Sequence, residues 1–369
     1  MKVCIVSLNI AAYYDPSPRA RYGGAEVQAA FLCRALSLAG MNVSLVVADC
    51  PPGVDMPYET FNAYDTSAGL PGLRFFHPRM SGILDALEQA DADIYYQRNA
   101  GMITGLAAWF CKRHRRCFVY GAGSDTDLAL GSARVDGPRD RLLFYYGLKR
   151  AHGVVVQNDV QRERCEGTIQ VPVQIIANGV LPAQRNEAAR GREIFWAGGL
   201  RKIKRPDLFL ELARRLPDQQ FVMVGGATGT EPEYAAGIEA SARDIGNLTM
   251  TGWKPHSEVL ALLKNASLLV NTSTVEGFPN SYLEAWNHGV PVVSFNDVDG
   301  MIANEQLGVI ARDIDEMETQ LRSLLQDGAR LDAMRARVRA IVTERFSPEV
   351  LGPKYVAFFE RVLEHTRPR

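Results

Sequence analysis

Short apolar runs of strand length alternate with longer segments of helical period along nearly the whole chain. "KVCIVSL" at 2–8 leads into "AEVQAAFLCRALSLAG", where apolar residues recur at i, i+3, i+4 spacing before a glycine stop, and then into "NVSLVVA". That order predicts a βαβ unit. "DADIYYQ", "CFVYGA", "GVVVQN" and "VQIIAN" continue the strand series to residue 178. After the polar stretch "LPAQRNEAARGRE" a second series starts: "IFWAGG", the helix "RPDLFLELARRL", "QFVMVGG", "NLTMTGW", the helix "SEVLALLKN", "SLLVNTS" and "VPVVSF". The strand segments read as largely continuous apolar runs, as parallel strands covered on both faces do. Two doubly wound α/β domains are therefore expected, joined near residues 178–192. The closing segment "SPEVLGPKYVAFFERVLEHTRPR" is amphipathic, and its Val356, Phe359 and Leu363 stripe needs a surface to cover. The expected domains are 1–178, with 350–369 crossing back onto it, and 179–349.

Composition narrows the function classes. A formal net charge of −1 gives no electrostatic case for nucleic acid as a partner. No apolar stretch reaches the roughly 18–20 residues of a membrane span. "MKVCIVSLNI" reads as a short β run rather than a leader. The six cysteines form no C-x-x-C pair, and Cys4, Cys33 and Cys117 sit inside apolar runs as small hydrophobes. A reduced, cytoplasmic compartment is expected.

Ligands of open α/β sheets bind beyond the carboxyl ends of the strands. One such end carries "RYGGAEVQ", with Gly23 and Gly24 just before a helix; these suit an anion, or form a plain strand–helix turn. A second carries "AGGLRKIKRPD", where Arg201, Lys202, Lys204 and Arg205 crowd together around an anion, or simply form a solvated basic loop. Neither G-x-G-x-x-G nor G-x-x-x-x-G-K-[ST] occurs, which disfavours dinucleotide dehydrogenases and P-loop enzymes. In "VEGFPNSYLEAWNHGVPVV", Glu276 lies in a loop and Glu284 on the helix that follows. A carboxylate accepts two hydrogen bonds side by side, which matches vicinal sugar hydroxyls. Asn280 and Ser281 fall where that helix begins, so their N–H groups would point at a ligand. Together these residues suit a nucleoside diphosphate sugar; singly, each glutamate reads as an exposed surface acid.

The chain resembles the retaining glycosyltransferases of family four, which have the GT-B architecture of two facing Rossmann-like domains. The resemblance rests on "YGGAEVQ" at 22–28, "ANGV" at 177–180, "KRPDLFLELARRLPDQQFVMVGG" at 204–226, "GWKPHSEVLALLKNASLLVNTS" at 252–273 and the E-x7-E block "EGFPNSYLEAWNHGVPVV" at 276–293. It implies that Glu284 binds the nucleotide ribose and that Glu276 faces the transferred sugar near its C3 hydroxyl. Arg201 and Lys204 would neutralise the diphosphate, Trp253 would lie beside the base, and Gly23 and Gly24 would close over the phosphates. Phe278, Asn280 and Ser281 belong to the same donor-binding set. Three positions depart from the family's pattern: Gly199 stands where an arginine is usual, Ser124 where many members have a histidine, and Pro279 where a glycine is common. Arg201 would substitute for the first, no histidine is assigned a catalytic role, and Pro279 removes one backbone donor. "SDTD" also reads as a D-x-D, but no His/Cys cluster accompanies it and no metal is expected; Asp125 would contact sugar or acceptor.

The resemblance thus implies hexosyl transfer from a UDP- or GDP-linked sugar to a glycan or lipid-linked acceptor, with no separate cofactor. The alternatives are a GT-B sugar-nucleotide epimerase and a non-catalytic sugar-nucleotide-binding module. Basic residues beside aromatics at 107–117 ("AAWFCKRHRRC") and 139–150 ("RDRLLFYYGLKR") suit an anionic lipid surface, or are cations at ordinary helix ends. A peripheral place at the inner face of a membrane is the corresponding expectation.

Overall fold

The computed structural model describes residues 1–17, 20–125, 127–128, 135, 137–167, 169–183, 191–228 and 231–366. The chain forms two compact units, Met1–Leu181 with Ser347–Arg369, and Pro182–Phe346. Most of the polar stretch expected to join the domains, residues 184–190, lies outside the described residues.

The first unit is built on a seven-stranded sheet of β1 (Lys2–Val6), β2 (Asn42–Val47), β3 (Glu59–Asn62), β4 (Ile94–Arg98), β5 (Cys117–Gly121), β6 (Gly153–Val156) and β7 (Val173–Ile175). Their order is β3-β2-β1-β4-β5-β6-β7, and neighbouring strands pair in parallel. Parallel pairing needs helical crossovers on the faces, which explains the apolar strand segments. One face buries Phe118, Tyr95 and Phe144, the other Ile5, Leu45 and Val119. The closing helix Pro348–Thr366 belongs to this unit and fills the second face with Leu351, Tyr355, Phe358, Phe359 and Val362. Of the expected stripe, Phe359 is fully buried, while Val356 and Leu363 are only partly so. Gly352 makes the approach possible: a Cβ there would lie 2.4 Å from the Ala35 carbonyl oxygen on helix Gly24–Leu38.

The second unit carries β8 (Glu193–Ala197), β9 (Phe221–Val224), β10 (Leu248–Gly252), β11 (Ala266–Asn271), β12 (Val292–Ser294) and β13 (Gly308–Ile310). The order is β10-β9-β8-β11-β12-β13, again all parallel. Two strands, β3 and β13, were absent from the apolar series. Both are edge strands, and β3, "ETFN", has no residue fully buried, so neither needs an apolar run.

In the basic segment of the first unit, helix Met102–His114 exposes Trp109 but buries Phe110, whose ring stacks on His114. Lys112, Arg113 and Arg115 are exposed, whereas Arg116 pairs with Asp91. On helix Pro138–Leu148, Leu142 is exposed and Arg139 lies over the Phe75 ring. Among the described residues, no helix is long and apolar enough to cross a membrane. The cysteines are free thiols, and all but Cys50 are buried.

Candidate functional site

The reversal of strand order in the second sheet falls between β8 and β11. At a reversal the crossovers leave in opposite directions and open a crevice at the carboxyl ends. β8 runs into Gly198, Gly199 and a single 3-10 turn, Lys202–Lys204; β11 runs into 272–276. Thr272 pins the two ends together, accepting from Trp196 Nε1 (3.1 Å) and donating to the Lys204 carbonyl (2.8 Å). The Thr274 N–H adds a bond to the Ile203 carbonyl at 3.0 Å. This places Lys204 Nζ 2.6 Å from Glu276 Oε1, which also accepts from Asn271 Nδ2 at 3.1 Å. The Glu276 side chain is only 9% exposed and that of Lys204 23%. Lys204 is therefore not the solvent-facing lysine of a basic loop.

The four cations after β8 divide. Arg205 closes on Asp207 with three hydrogen bonds of 3.0–3.2 Å and is committed to the start of helix Pro206–Arg215. Lys202 is exposed. Arg201 folds back beside Gly199, and its Nε is buried with no hydrogen-bond partner among the described residues. A Cβ at position 199 would meet Thr228 Cγ2 at 2.5 Å, so an arginine there would displace Thr228. Backbones also press together here: a Cβ on Gly225 (φ +151°) would lie 1.8 Å from the Gly198 carbonyl oxygen. Trp253, half-buried, follows β10 directly and packs beside Gly226.

Helix Asn280–Asn287 starts at Pro279, whose side chain cannot cap it. Tyr282 and Trp286 take its buried side: the Tyr282 hydroxyl meets Ser294 Oγ, and Trp286 Nε1 donates to the Leu307 carbonyl. Asn280 and Glu284, one turn apart, share the other side. Glu284 Oε1 lies 2.8 Å from His256 Nε2, a partner the sequence reading did not single out. His288 Nδ1 is 2.8 Å from the Glu284 carbonyl oxygen, and burial lowers its pKa, favouring the neutral ring. Phe278 is buried, and its ring packs against that of Phe346.

Two further candidates lie in the first unit. Gly23 is exposed, but its N–H donates to Glu26 Oε2 at 2.8 Å, closing the start of helix Gly24–Leu38 with a carboxylate of the same chain. The expected approach of an anion to the Gly23 N–H is thus met internally; Gly24 is the first residue of that helix. Asp125, after β5, is part-buried, and its Oδ1 accepts from Gln161 Nε2 (2.8 Å) and Asn158 Nδ2 (3.2 Å). Asp127 is the more deeply buried acid of that loop and is held by Tyr120, Gly123 and Ser124. Among the described residues, no group of three or more His, Cys, Asp or Glu is arranged to hold a metal ion.

Superposition on solved structures decides the architecture. Sucrose-phosphate synthase from Thermosynechococcus elongatus matches with a TM-score of 0.75 at 16% identity, covering 99% of this chain and 100% of that one. Anabaena HepE, solved with UDP and glucose, matches with a TM-score of 0.74 at 15% identity, covering 98% and 100%. The fold is GT-B. Within it, residues 191–327 match the family model "Glycosyl transferases group 1". The lipopolysaccharide 1,6-galactosyltransferase of Salmonella typhimurium (strain LT2) is 29% identical over 198 residues, covering 51% of this chain and 47% of that protein. D-inositol 3-phosphate glycosyltransferase of Mycobacterium avium (strain 104) is 28% identical over 185 residues, covering 48% and 43%. The aligned part thus spans less than half the length of these curated relatives. The GT-B second unit contains Arg201, Lys204, Trp253, Glu276, Asn280, Ser281 and Glu284; Gly23, Gly24 and Asp125 belong to the first.

Proposed function

We propose that this chain is a retaining glycosyltransferase of family four that moves a hexose-type sugar from a UDP- or GDP-linked donor to a glycan or lipid-linked acceptor. The observation that carries this reading is the Lys204–Glu276 pair at the strand-order reversal of the GT-B second unit, supported by Asn271. Such a pair offers an anion-binding cation and a sugar-binding carboxylate at one point. On donor binding, Lys204 and Arg201 neutralise the diphosphate, and Glu276 takes hydroxyls of the transferred sugar. Glu284 holds the ribose, and Trp253 lies beside the base. Asn280 and Ser281 add the positive end of their helix.

Charge develops on the leaving diphosphate in the transition state, so preorganised cations there supply a large part of the acceleration. No side chain of the set is assigned as a covalent nucleophile. A same-face displacement, with the leaving phosphate taking the acceptor's proton, is the course we assign. The first unit receives the acceptor, with Asp125 as a contact, and meets an anionic membrane surface from the cytoplasmic side through 107–117 and 139–150. The name of one relative, a lipopolysaccharide 1,6-galactosyltransferase, supports a glycan acceptor.

Incubation with UDP- and GDP-sugars without acceptor tests the reading. Slow release of free sugar is expected. An altered sugar still attached to nucleotide would instead identify an epimerase, and binding without any product a silent module.

A further inference from the structure

The first sheet has its own reversal of strand order, between β1 and β4, and a cavity of about 190 Å³ lies at that point. Its wall is made by Ser7 and Asn9 beyond β1, Arg98 and Asn99 at the end of β4, and Ala25 and Glu26 in the first turn of helix Gly24–Leu38. Among the described residues, Arg98 is the one cation of that lining. Its Nη2 donates to Asn178 Oδ1 at 2.7 Å, but its Nε is buried and has no hydrogen-bond partner among the described residues.

No ion pair to Arg98 is found among the described residues. Glu26 is the acid of the same cavity, and its Oε2 is engaged by the Gly23 N–H rather than by Arg98. Tyr96 and Tyr355, also in the wall, are phenols whose pKa burial raises above its ordinary value, so neither supplies a negative charge. A guanidinium with a desolvated, unmade donor is costly unless something anionic completes it. Its planar fork matches phosphate and carboxylate oxygens, and the first helical turn in the same wall adds positive potential.

We propose that Arg98 anchors an oxyanion site, and that the acceptor of the transfer proposed above carries a phosphate or carboxylate that docks there. This deepens the transferase reading by naming the acceptor's class as anionic, and it rests on that reading for the word acceptor alone. The same oxyanion chemistry could come from the donor's diphosphate, which the proposed function assigns to Lys204.

The test follows inorganic phosphate by ³¹P line broadening in the wild-type chain and in Arg98→Met, Arg98→Lys and Lys204→Ala variants. Saturable binding to the wild type is expected. Arg98→Met should weaken it roughly ten- to a hundred-fold, the weight of a charge-assisted bond. Arg98→Lys keeps the charge but loses the fork, and should weaken it by roughly fivefold to tenfold. Lys204→Ala should remove only the part of the binding that Arg98→Met leaves, since the donor's diphosphate site can also take phosphate. Loss in Lys204→Ala with retention in Arg98→Met would assign the anion to the donor and overturn the proposal. So would wild-type affinity in Arg98→Lys, a readout that survives if Arg98→Met does not fold. Absence of wild-type binding up to about 20 mM phosphate would overturn it as well. Calorimetry with UDP and GDP, together with donor hydrolysis, reports on the transferase reading separately. Phosphate binding through Arg98 without either would sink that reading and leave the oxyanion site standing.

Discussion

Lys204 shows how a single side chain changes meaning between sequence and fold. In the sequence it is one of four crowded cations; in the structure it is paired with a carboxylate 72 residues away, and Arg205 drops out of the group. Lys204→Ala should cut turnover by roughly 10²–10³, as loss of a preorganised electrostatic donor does. It should also cost roughly 1–3 kcal/mol of stability, because Glu276 then keeps only Asn271 as a side-chain donor among the described residues. Steady-state kinetics and urea denaturation check both, and a variant retaining more than half its activity would remove Lys204 from the site. The two glutamates should fail differently. Glu284→Gln should weaken binding of nucleoside diphosphate, since the ribose it is assigned to is unchanged through the reaction. Glu276→Gln should lower kcat far more than that binding, because only interactions stronger in the transition state raise turnover. Calorimetry with the sugar-free nucleoside diphosphate separates them; equal weakening by both variants would refute the division. The two acids could be picked out as candidates in the sequence because their spacing is local. Their partners Lys204 and His256 were not legible as partners, because 72 and 28 residues of chain separate them from the acids. Around Gly23 the sequence did not show the local cap: Glu26, three residues on, reaches back to its N–H.

At the scale of elements, the periodicity carried most of the fold. Runs such as "KVCIV" and "ASLLVN" are mostly apolar because both sheet faces are covered, and they are easily read. β3 and β13 are edge strands of four and three residues, where pairing on one side suffices and little apolar surface is needed. Helix Met102–His114 illustrates what periodicity leaves open. It distributes one aromatic pair between core and solvent, burying Phe110 and exposing Trp109 beside Lys112 and Arg113. An exposed Trp next to cations suits a lipid interface, where each cation near an anionic surface adds about 1 kcal/mol. Flotation with anionic vesicles should therefore carry the chain, neutral vesicles should not, and raised salt should release it. Trp109→Ala and Lys112→Glu/Arg113→Glu should each reduce the bound fraction. Equal flotation with both vesicle types, or none with either, would exclude this helix as a lipid contact.

For the whole molecule, the notable feature is that the chain's last helix stabilises its first unit. Phe359 is fully buried, with ring centroids 6.1 Å from Tyr96 on β4 and 6.0 Å from Tyr355. Replacing a buried phenylalanine by alanine typically costs 3–5 kcal/mol, a large part of the roughly 5–15 kcal/mol that holds a domain together. The loss should fall where the side chain packs, since contacts are dense within each unit. Phe359→Ala should therefore lower hydrogen-exchange protection in peptides covering β1, β4 and β5 while leaving β8 and β11 near their original values. Phe209→Ala gives the mirror experiment. Phe209 is fully buried beside Phe221 and Trp196, and its loss should deprotect the second sheet and spare the first. Nucleoside diphosphate binding, assigned to the second unit, should survive Phe359→Ala and fall with Phe209→Ala. If Phe359→Ala deprotects both sheets to the same extent, the chain unfolds as one cooperative body, and its division into two units describes packing but not stability.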